Sequence, residues 1–177
     1  MSLTLWLTGL PSAGKTTLAN AIGQRLSNAG LQFHILDGDA MREYLTNDLG
    51  FSKEDRDANV RRIGFVASLL SSHGVITICP VISPFREARN EVRSLHADGR
   101  FIEVYVATNV DVCEERDVKG LYAKARSGLI TSMTGIDDPY EPPIDPEVIV
   151  EAGSLSVDEC VETIWSSLMQ HLSTTSG

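Results

Sequence analysis

Apolar runs of strand length alternate with stretches of helical periodicity along the chain. The apolar runs predict five strands, over residues 3–8, 33–39, 75–82, 101–107 and 146–151. Apolar residues that recur every three or four positions predict helices over residues 15–28, 55–73, 83–96, 110–116 and 156–172. This alternation predicts an α/β fold, a doubly wound and mainly parallel five-stranded sheet with flanking helices. In such a sheet, ligands bind beyond the carboxyl ends of the strands.

One segment, residues 117–145, departs from the alternation. It is long, polar and rich in Gly, Pro and Asp. Inside a compact domain such a segment predicts a mobile lid. The length of 177 residues, without a repeat or a linker, predicts a single domain over 1–177.

Composition excludes some classes of function. A formal net charge of −9 argues against a general nucleic-acid binder, although a local basic pocket for an anionic small molecule stays open. The cysteines Cys79, Cys113 and Cys160 lack metal-ligand spacing and predict reduced, mostly buried thiols of a cytoplasmic protein. We see neither a signal peptide nor an apolar run long enough for a membrane span.

The clearest chemical signal lies between the first strand and the first helix. Residues 9–17 read GLPSAGKTT, with the Gly-x-x-x-x-Gly-Lys-Thr spacing of a phosphate-binding P-loop. We expect Lys15 to reach the outer phosphates of ATP and the Thr16 hydroxyl to bind Mg²⁺. The predicted ATP-binding residues here are Gly9, Ser12, Ala13, Gly14, Lys15, Thr16 and Thr17. A chance match in a glycine-containing turn is the alternative, and the strand-loop-helix context opposes it.

The second predicted strand ends in Asp37-Gly38-Asp39. P-loop proteins commonly hold the metal with a second acid at a strand end. We favour Asp39, which lies nearer the cleft and could also accept the proton of an attacking hydroxyl. The alternative, a turn Asp followed by a helix N-cap Asp, fits Asp37 better. Because the chain contains no Asn-Lys-x-Asp signature, a small-molecule kinase is favoured over a GTPase.

A basic run follows, unusual for an acidic protein. It contains Arg42, Arg56, Asn59, Arg61 and Arg62. Arginine suits a bidentate grip on phosphate or sulfate, and residues three apart in one helix turn face one pocket. The alternative for each arginine is a solvent-exposed salt bridge, which fits at least one of Arg61 and Arg62.

Two further residues lie at this rim. Phe51 is in a loop and could stack on a base. Ser83 is predicted to cap the helix over 83–96, with Pro84 at its first position. A helix start can also offer N–H groups to an anion.

Seven segments resemble one known family. GLPSAGKTT, DGDAMR, LGFSKEDRDANVRR, ISPFRE, FIEVYV, CEERDVKGLYAKAR and TGIDDPYEPP occur in the order and spacing of the adenylylsulfate kinases, over about residues 4–150. The resemblance implies a P-loop kinase that transfers the γ-phosphate of MgATP to the 3′-hydroxyl of adenosine 5′-phosphosulfate in sulfate activation. It also implies a cytoplasmic homodimer.

The same resemblance implies roles for individual residues. Lys15, Asp39 and Lys119 would be catalytic, and Thr16 with Asp39 would hold Mg²⁺. Arg116 would pack against the ATP adenine, and Ser83 is a conceivable phosphorylation site. The implied acceptor-binding residues are Asp39, Arg42, Phe51, Arg56, Asn59, Ile82, Ser83, Lys119 and Met133.

The chain departs from the family pattern at three positions that bear on the site. Ser12 stands where the family usually has glycine, so a positive φ there would be strained. Ser132-Met133 replaces the usual Gly-Phe, and the Met133 thioether would cover an adenine face less rigidly than a ring. The change at Met133 keeps open a related P-loop kinase with another phosphorylated or nucleotide-like acceptor. A third possibility is a non-catalytic ATP-binding module, and the retained Lys15, Thr16, Asp39 and Arg56 argue against it.

Overall fold

A computed structural model describes residues 2–174. The strands are β1 (Thr4–Thr8), β2 (Phe33–Ile35), β3 (Ile76–Pro80), β4 (Phe101–Val106) and β5 (Val148–Val150). The helices are α1 (Lys15–Asn28), α2 (Gly38–Tyr44), α3 (Lys53–Ser72), α4 (Arg86–Ser94), α5 (Val110–Arg116), α6 (Leu121–Arg126) and α7 (Val157–Thr174).

All the paired strands run parallel, in the order β2-β3-β1-β4-β5. β1 lies at the centre and every one of its residues is buried, as is true of β3. Strands covered on both faces read as continuous apolar runs, which is why these two were visible in the sequence. The predicted five-stranded α/β sheet is confirmed, and its carboxyl ends form one rim.

Two apolar clusters cover the two faces of the sheet. The larger contains residues of α1 and α7, and the smaller contains residues of α3 and α4. Within the smaller, α3 and α4 pack closely at Gly64, where an added Cβ would lie 2.4 Å from Cγ2 of Val92. None of the helices in residues 2–174 is long and apolar enough to cross a membrane. The three cysteines are buried free thiols, as predicted.

The segment after β2 differs from the prediction. The strand expected over 33–39 ends at Ile35, and the short helix α2 follows. Asp37 caps α2, because its carboxylate accepts hydrogen bonds from the backbone N–H groups of Asp39 (3.0 Å) and Ala40 (3.2 Å). α2 buries none of its residues, so no apolar periodicity marked it in advance. The N-cap interpretation of Asp37 is confirmed.

The prediction that Ser83 caps the helix over 83–96 is wrong. α4 begins at Arg86, and Ser83 has a positive φ of 41°. Its hydroxyl is directed inward, donating to Thr8 Oγ1 and accepting from the Trp6 indole at 3.0 Å. The Glu141 carboxylate takes the capping role, accepting from the Arg86 N–H at 2.8 Å.

Candidate active site at the carboxyl rim of the sheet

The loop between β1 and α1 has the geometry of a phosphate cradle. Gly9 approaches β4 so closely that an added Cβ would lie 2.7 Å from the Val106 carbonyl oxygen. Gly14 adopts a left-handed conformation, with φ of 109°, directly before α1. The start of the fourteen-residue α1 therefore faces the loop, and Thr16 and Thr17 are exposed there.

Lys15 is buried beneath this loop. Its ammonium donates to the carbonyls of Gly9 (3.0 Å) and Leu10 (2.6 Å). Burial lowers the pKa of Lys15 from 10.5 to about 7, because the charged form loses its hydration. Lys15 thus lies next to the cradle, and its hydrogen-bond acceptors among the described residues are two backbone carbonyls.

The inner side of the loop is held by contacts from distant segments. The Ala13 carbonyl accepts from Thr108 Oγ1 at 3.0 Å and from Arg116 Nη1 at 3.3 Å. Arg116 also donates to the Ala152 carbonyl at 2.6 Å. Ser12 lies in the left-handed region, with φ of 60°, so the strain expected of a serine here is confirmed.

Asp39 lies at the rim beside the segment 117–145. Its side chain is 75% exposed, and it forms an ion pair with the Lys119 ammonium. Asp37 is occupied as a helix cap, which leaves Asp39 as the carboxylate of the Asp-Gly-Asp turn that can serve chemistry. The structure therefore brings two of the three predicted catalytic residues, Asp39 and Lys119, into direct contact.

Arg42 and Phe51 form one unit. The Arg42 guanidinium stacks over the Phe51 ring, 4.4 Å from its centroid, and donates to the carbonyls of Leu49 and Gly50. The Phe51 side chain is largely exposed, at 59%. An exposed aromatic face next to a guanidinium is suited to stack on a base and to hold an anion.

Arg56 joins α3 to the segment 117–145. It donates to the Phe51 carbonyl (2.9 Å), the Thr134 hydroxyl (2.8 Å) and the Ser132 carbonyl, and it lies 3.5 Å from Asp138. One turn later, Asn59 accepts from Thr46 Oγ1 at 2.8 Å. Both predicted acceptor residues are therefore held by protein contacts in this conformation.

The salt-bridge interpretation of the neighbouring arginines is confirmed. Arg61 pairs with Glu91, and Arg62 pairs with Asp48 at 2.6 Å. In each pair the partners are largely exposed, so these pairs contribute little to stability.

The loop after β3 brings Ile82 and Ser83 to the same rim. Ile82 is partly buried, and its carbonyl accepts from Thr8 Oγ1 at 2.8 Å. Ser83 is 1% exposed, so its hydroxyl is shielded from solvent in this conformation. Its phosphorylation stays a prediction.

Met133 is more buried than expected of a side chain that covers the face of a bound adenine. It is 6% exposed and belongs to the larger apolar cluster. Ser132, before it, has a φ of 60°, the conformation that glycine adopts most easily. The stacking role of Met133 is untested by these contacts. Among the described residues, no group of three or more His, Cys, Asp or Glu side chains could hold a metal ion.

Comparison with known proteins decides the family. The family model described as adenylylsulphate kinase matches residues 1–151. The chain belongs to the adenylylsulphate kinase family. An adenylyl-sulfate kinase of Synechococcus sp. (strain JA-3-3Ab) is 54% identical over 169 residues, covering 96% of this chain and 95% of that protein. An adenylyl-sulfate kinase of Rippkaea orientalis (strain PCC 8801 / RF-1) is 55% identical, covering 94% and 91%.

Solved structures of adenylylsulphate kinases match the fold. The Mycobacterium tuberculosis APS kinase CysC, solved in complex with AMPPNP and APS, is 42% identical with a TM-score of 0.91, covering 95% of this chain and 98% of that one. A hexameric APS kinase from Thiobacillus denitrificans is 35% identical with a TM-score of 0.71, covering 96% of this chain and 29% of its own. The resemblance inferred from the seven segments is confirmed.

Sequence reasoning missed several residues that hold this kinase's rim together. Tyr122 of α6 is buried and donates its hydroxyl to the Pro11 carbonyl at 3.0 Å, which links the segment 117–145 to the P-loop. Tyr140 contacts Thr8, and Arg89 is buried among polar partners. An arginine at position 89, on the apolar side of a helix that also carries Ala88 and Val92, was the available signal.

Proposed function

We propose that this chain transfers the γ-phosphate of MgATP to the 3′-hydroxyl of adenosine 5′-phosphosulfate, giving ADP and 3′-phosphoadenosine 5′-phosphosulfate. The observation that carries the proposal is the likeness to an APS kinase solved with an ATP analogue and APS. The residues required for donor and acceptor are present at one rim of the sheet, which supports it further.

On the donor side, the loop Gly9–Gly14 and the start of α1 offer N–H groups to the phosphates. The Lys15 ammonium would leave the Gly9 and Leu10 carbonyls for the outer phosphate oxygens. Phosphate contact restores the charge that burial disfavours, so binding and protonation support each other. Arg116, next to the loop, is assigned to the adenine.

On the acceptor side, Arg42, Arg56 and Asn59 would hold the phosphosulfate, and Phe51 would stack on the adenine. Ile82 and Ser83 would approach from the loop after β3. For Arg56 this requires exchange of its Thr134 and Ser132 contacts for ligand oxygens.

The chemical step forms a bond between the acceptor 3′-oxygen and the γ-phosphorus and breaks the bond to the β–γ bridging oxygen. The Asp39 carboxylate accepts the hydroxyl proton. Lys119 leaves Asp39 and neutralises charge on the transferred phosphoryl group. The Lys119–Asp39 ion pair therefore keeps both side chains at the reacting position before substrates arrive.

The residues present fit Mg²⁺. This ion is usually held by one or two protein oxygens together with phosphates, and the Thr16 hydroxyl and the Asp39 carboxylate are oxygens of that kind. Bound there, Mg²⁺ would supply charge neutralisation across the β- and γ-phosphates.

Acceptor-dependent ADP release tests the proposal. We expect turnover with adenosine 5′-phosphosulfate and far less with other nucleotides or phosphorylated sugars. Faster turnover with a different acceptor would favour the related-kinase alternative, which Ser132 and Met133 keep open. ATP binding without ADP release in the presence of any acceptor would favour the non-catalytic module.

Asp39→Asn provides the matched test of the mechanism. We expect turnover to fall by about 10²–10⁴-fold because the proton acceptor is lost, while ATP binding is largely kept. Glu43→Gln, on the exposed side of the same short helix, is the control and is expected to keep full turnover. Equal losses in both variants would show that α2 was merely perturbed.

The homodimer is also part of this proposal. Light scattering after size-exclusion chromatography would measure the mass of the particle, and a monomer or a hexamer would contradict it.

A further inference from the structure

Arg89 is an arginine at the base of the rim with no role in the proposed chemistry. It is 1% exposed. Its guanidinium donates to Glu103 Oε1, to the Ser83 carbonyl and to the Glu141 carbonyl, each at 2.7 Å. One side chain on α4 thereby joins β4, the loop after β3 and the far end of the segment 117–145.

That far end, residues 140–142, we call the stem. The Glu141 N–H donates to the Pro84 carbonyl at 2.8 Å, and the Arg86 N–H donates to the Glu141 carboxylate at 2.8 Å. The Arg86 guanidinium donates to the Pro142 carbonyl at 2.7 Å, and the Tyr140 hydroxyl lies 2.9 Å from Thr8 Oγ1. Hydrogen bonds thus hold the stem against the start of α4 and against β1.

The loop after β3 carries local strain. Ser83 has a φ of 41°, a backbone conformation that is unfavourable for a residue other than glycine. Such a conformation persists only where the surroundings over-determine it. Three contacts hold Ser83 in this conformation. Arg89 donates to its carbonyl, the Trp6 indole donates to its hydroxyl, and that hydroxyl donates to Thr8 Oγ1.

The charge of Arg89 is compensated locally. Glu103 pairs with Arg89 at 2.7 Å and with Arg93 at 3.3 Å, and Arg93 pairs further out with Glu147 at 2.5 Å. Within residues 2–174, Arg93 therefore shares the ionic network but forms no hydrogen bond or ion pair with Ser83 or with the stem. It serves as an internal control for Arg89.

We propose that Arg89 is a positioning residue for the acceptor site, clamping the Ser83 backbone and the stem together so that the acceptor-side loop keeps its shape while the rest of the segment 117–145 moves. This rests on the proposed function, in which Ile82 and Ser83 contact the acceptor. The moving part of the segment is then residues 117–139, and its hinge lies just before the stem.

Arg89→Lys is the first test variant. It keeps the positive charge for Glu103, but a lysine ammonium cannot span three acceptors with the planar fork of a guanidinium. Because this variant leaves a buried charge imperfectly paired, Arg89→Met/Glu103→Met is the second, which removes both charges together. Arg93→Met is the control.

Two readouts decide the matter. Hydrogen exchange of the Glu141 and Arg86 amides reports the attachment of the stem to the start of α4, since the Glu141 amide donates to Pro84 and the Arg86 amide donates to Glu141. We expect at least about tenfold faster exchange of these two amides in both Arg89 variants, with sheet amides unchanged. Steady-state kinetics should show the KM for adenosine 5′-phosphosulfate raised by about tenfold, with ATP affinity unchanged. Arg93→Met should alter neither.

Unchanged exchange at Glu141 and Arg86 in both Arg89 variants would overturn the proposal. So would equal losses of ATP and acceptor affinity, or the same changes in Arg93→Met, since those would indicate a purely structural role. If the parent protein fails to turn over adenosine 5′-phosphosulfate, the proposed function fails, and the amide exchange then decides on the clamp alone.

Discussion

Lys15 is a residue whose two roles oppose each other. In the proposed reaction the Lys15 ammonium binds phosphate, yet burial without phosphate lowers the pKa of Lys15 to about 7. Folding the nucleotide-free chain therefore places a weakly compensated charge under the P-loop. Because the unfolded chain binds more protons between pH 7 and pH 10.5, the contribution of Lys15 to the free energy of unfolding rises across that range.

A binding measurement checks this state of Lys15. At pH 8 the nucleotide-free side chain is mostly neutral, and phosphate contact favours the charged form, so ATP binding should take up close to one proton. Near pH 6 the uptake should fall toward zero. Calorimetry in two buffers of different ionisation enthalpy measures it. Equal proton uptake at both values of pH would contradict the burial argument.

Single-residue roles were predictable from sequence where a motif fixes the backbone. Asp37 as cap and Asp39 as the available carboxylate followed from the Asp-Gly-Asp turn. Ser83 was predicted wrongly, because the Ser-Pro pair imitates a helix start while Trp6 and Thr8 draw the hydroxyl inward. Trp6 and Thr8 lie more than seventy positions before Ser83, so the residues around Ser83 could not indicate these hydrogen bonds.

At the scale of elements, buried parallel strands and long helices were predictable and short polar helices were not. β1 and β3 are continuous apolar runs, and α5 was predicted with the bounds that the structure shows. α2 buries none of its residues, so no apolar stripe reveals it, and α6 lies inside the polar segment 117–145 whose composition predicted a lid.

The crossing of α3 and α4 supplies an element-scale prediction. Gly64→Ala places a methyl group against Val92 and should lower the free energy of unfolding by about 1–2 kcal/mol, because overpacking outweighs the better helix propensity of alanine. In Gly64→Ala/Val92→Ala the new methyl occupies the space that valine leaves. The double variant should be more stable than the sum of the single effects predicts, as measured by urea unfolding. Simple additivity would contradict the close packing.

At the scale of the whole molecule, the segment 117–145 is fastened unevenly. Ion pairs from Lys119 and Arg56 connect it to the acceptor side, and both lie near the residues that substrates would contact. Tyr122 connects it to the P-loop, and the stem holds its far end. The composition of the segment predicted where it lies in the sequence. The contacts that hold it could not be predicted, because they join residues far apart in the chain.

Limited proteolysis tests closure of the segment. Trypsin should cleave after the exposed Lys124 and Arg126. We expect a non-hydrolysable ATP analogue with adenosine 5′-phosphosulfate to slow this cleavage by more than either ligand alone, because each contacts the segment from one side. Cleavage at an unchanged rate with both ligands would contradict closure. The bond after Arg89, which is 1% exposed on α4, is the control and should stay uncut under all conditions.

The central position of β1 has an evolutionary consequence. This buried strand leads into the P-loop, while the proposed acceptor residues lie in loops and helices that follow other strands at the same rim. Those loops can accumulate substitutions, as Ser132 and Met133 illustrate, without altering a single core residue of β1 or β3. Acceptor preference can therefore drift, or be selected in a library limited to the rim, while the machinery for the shared donor nucleotide is inherited intact.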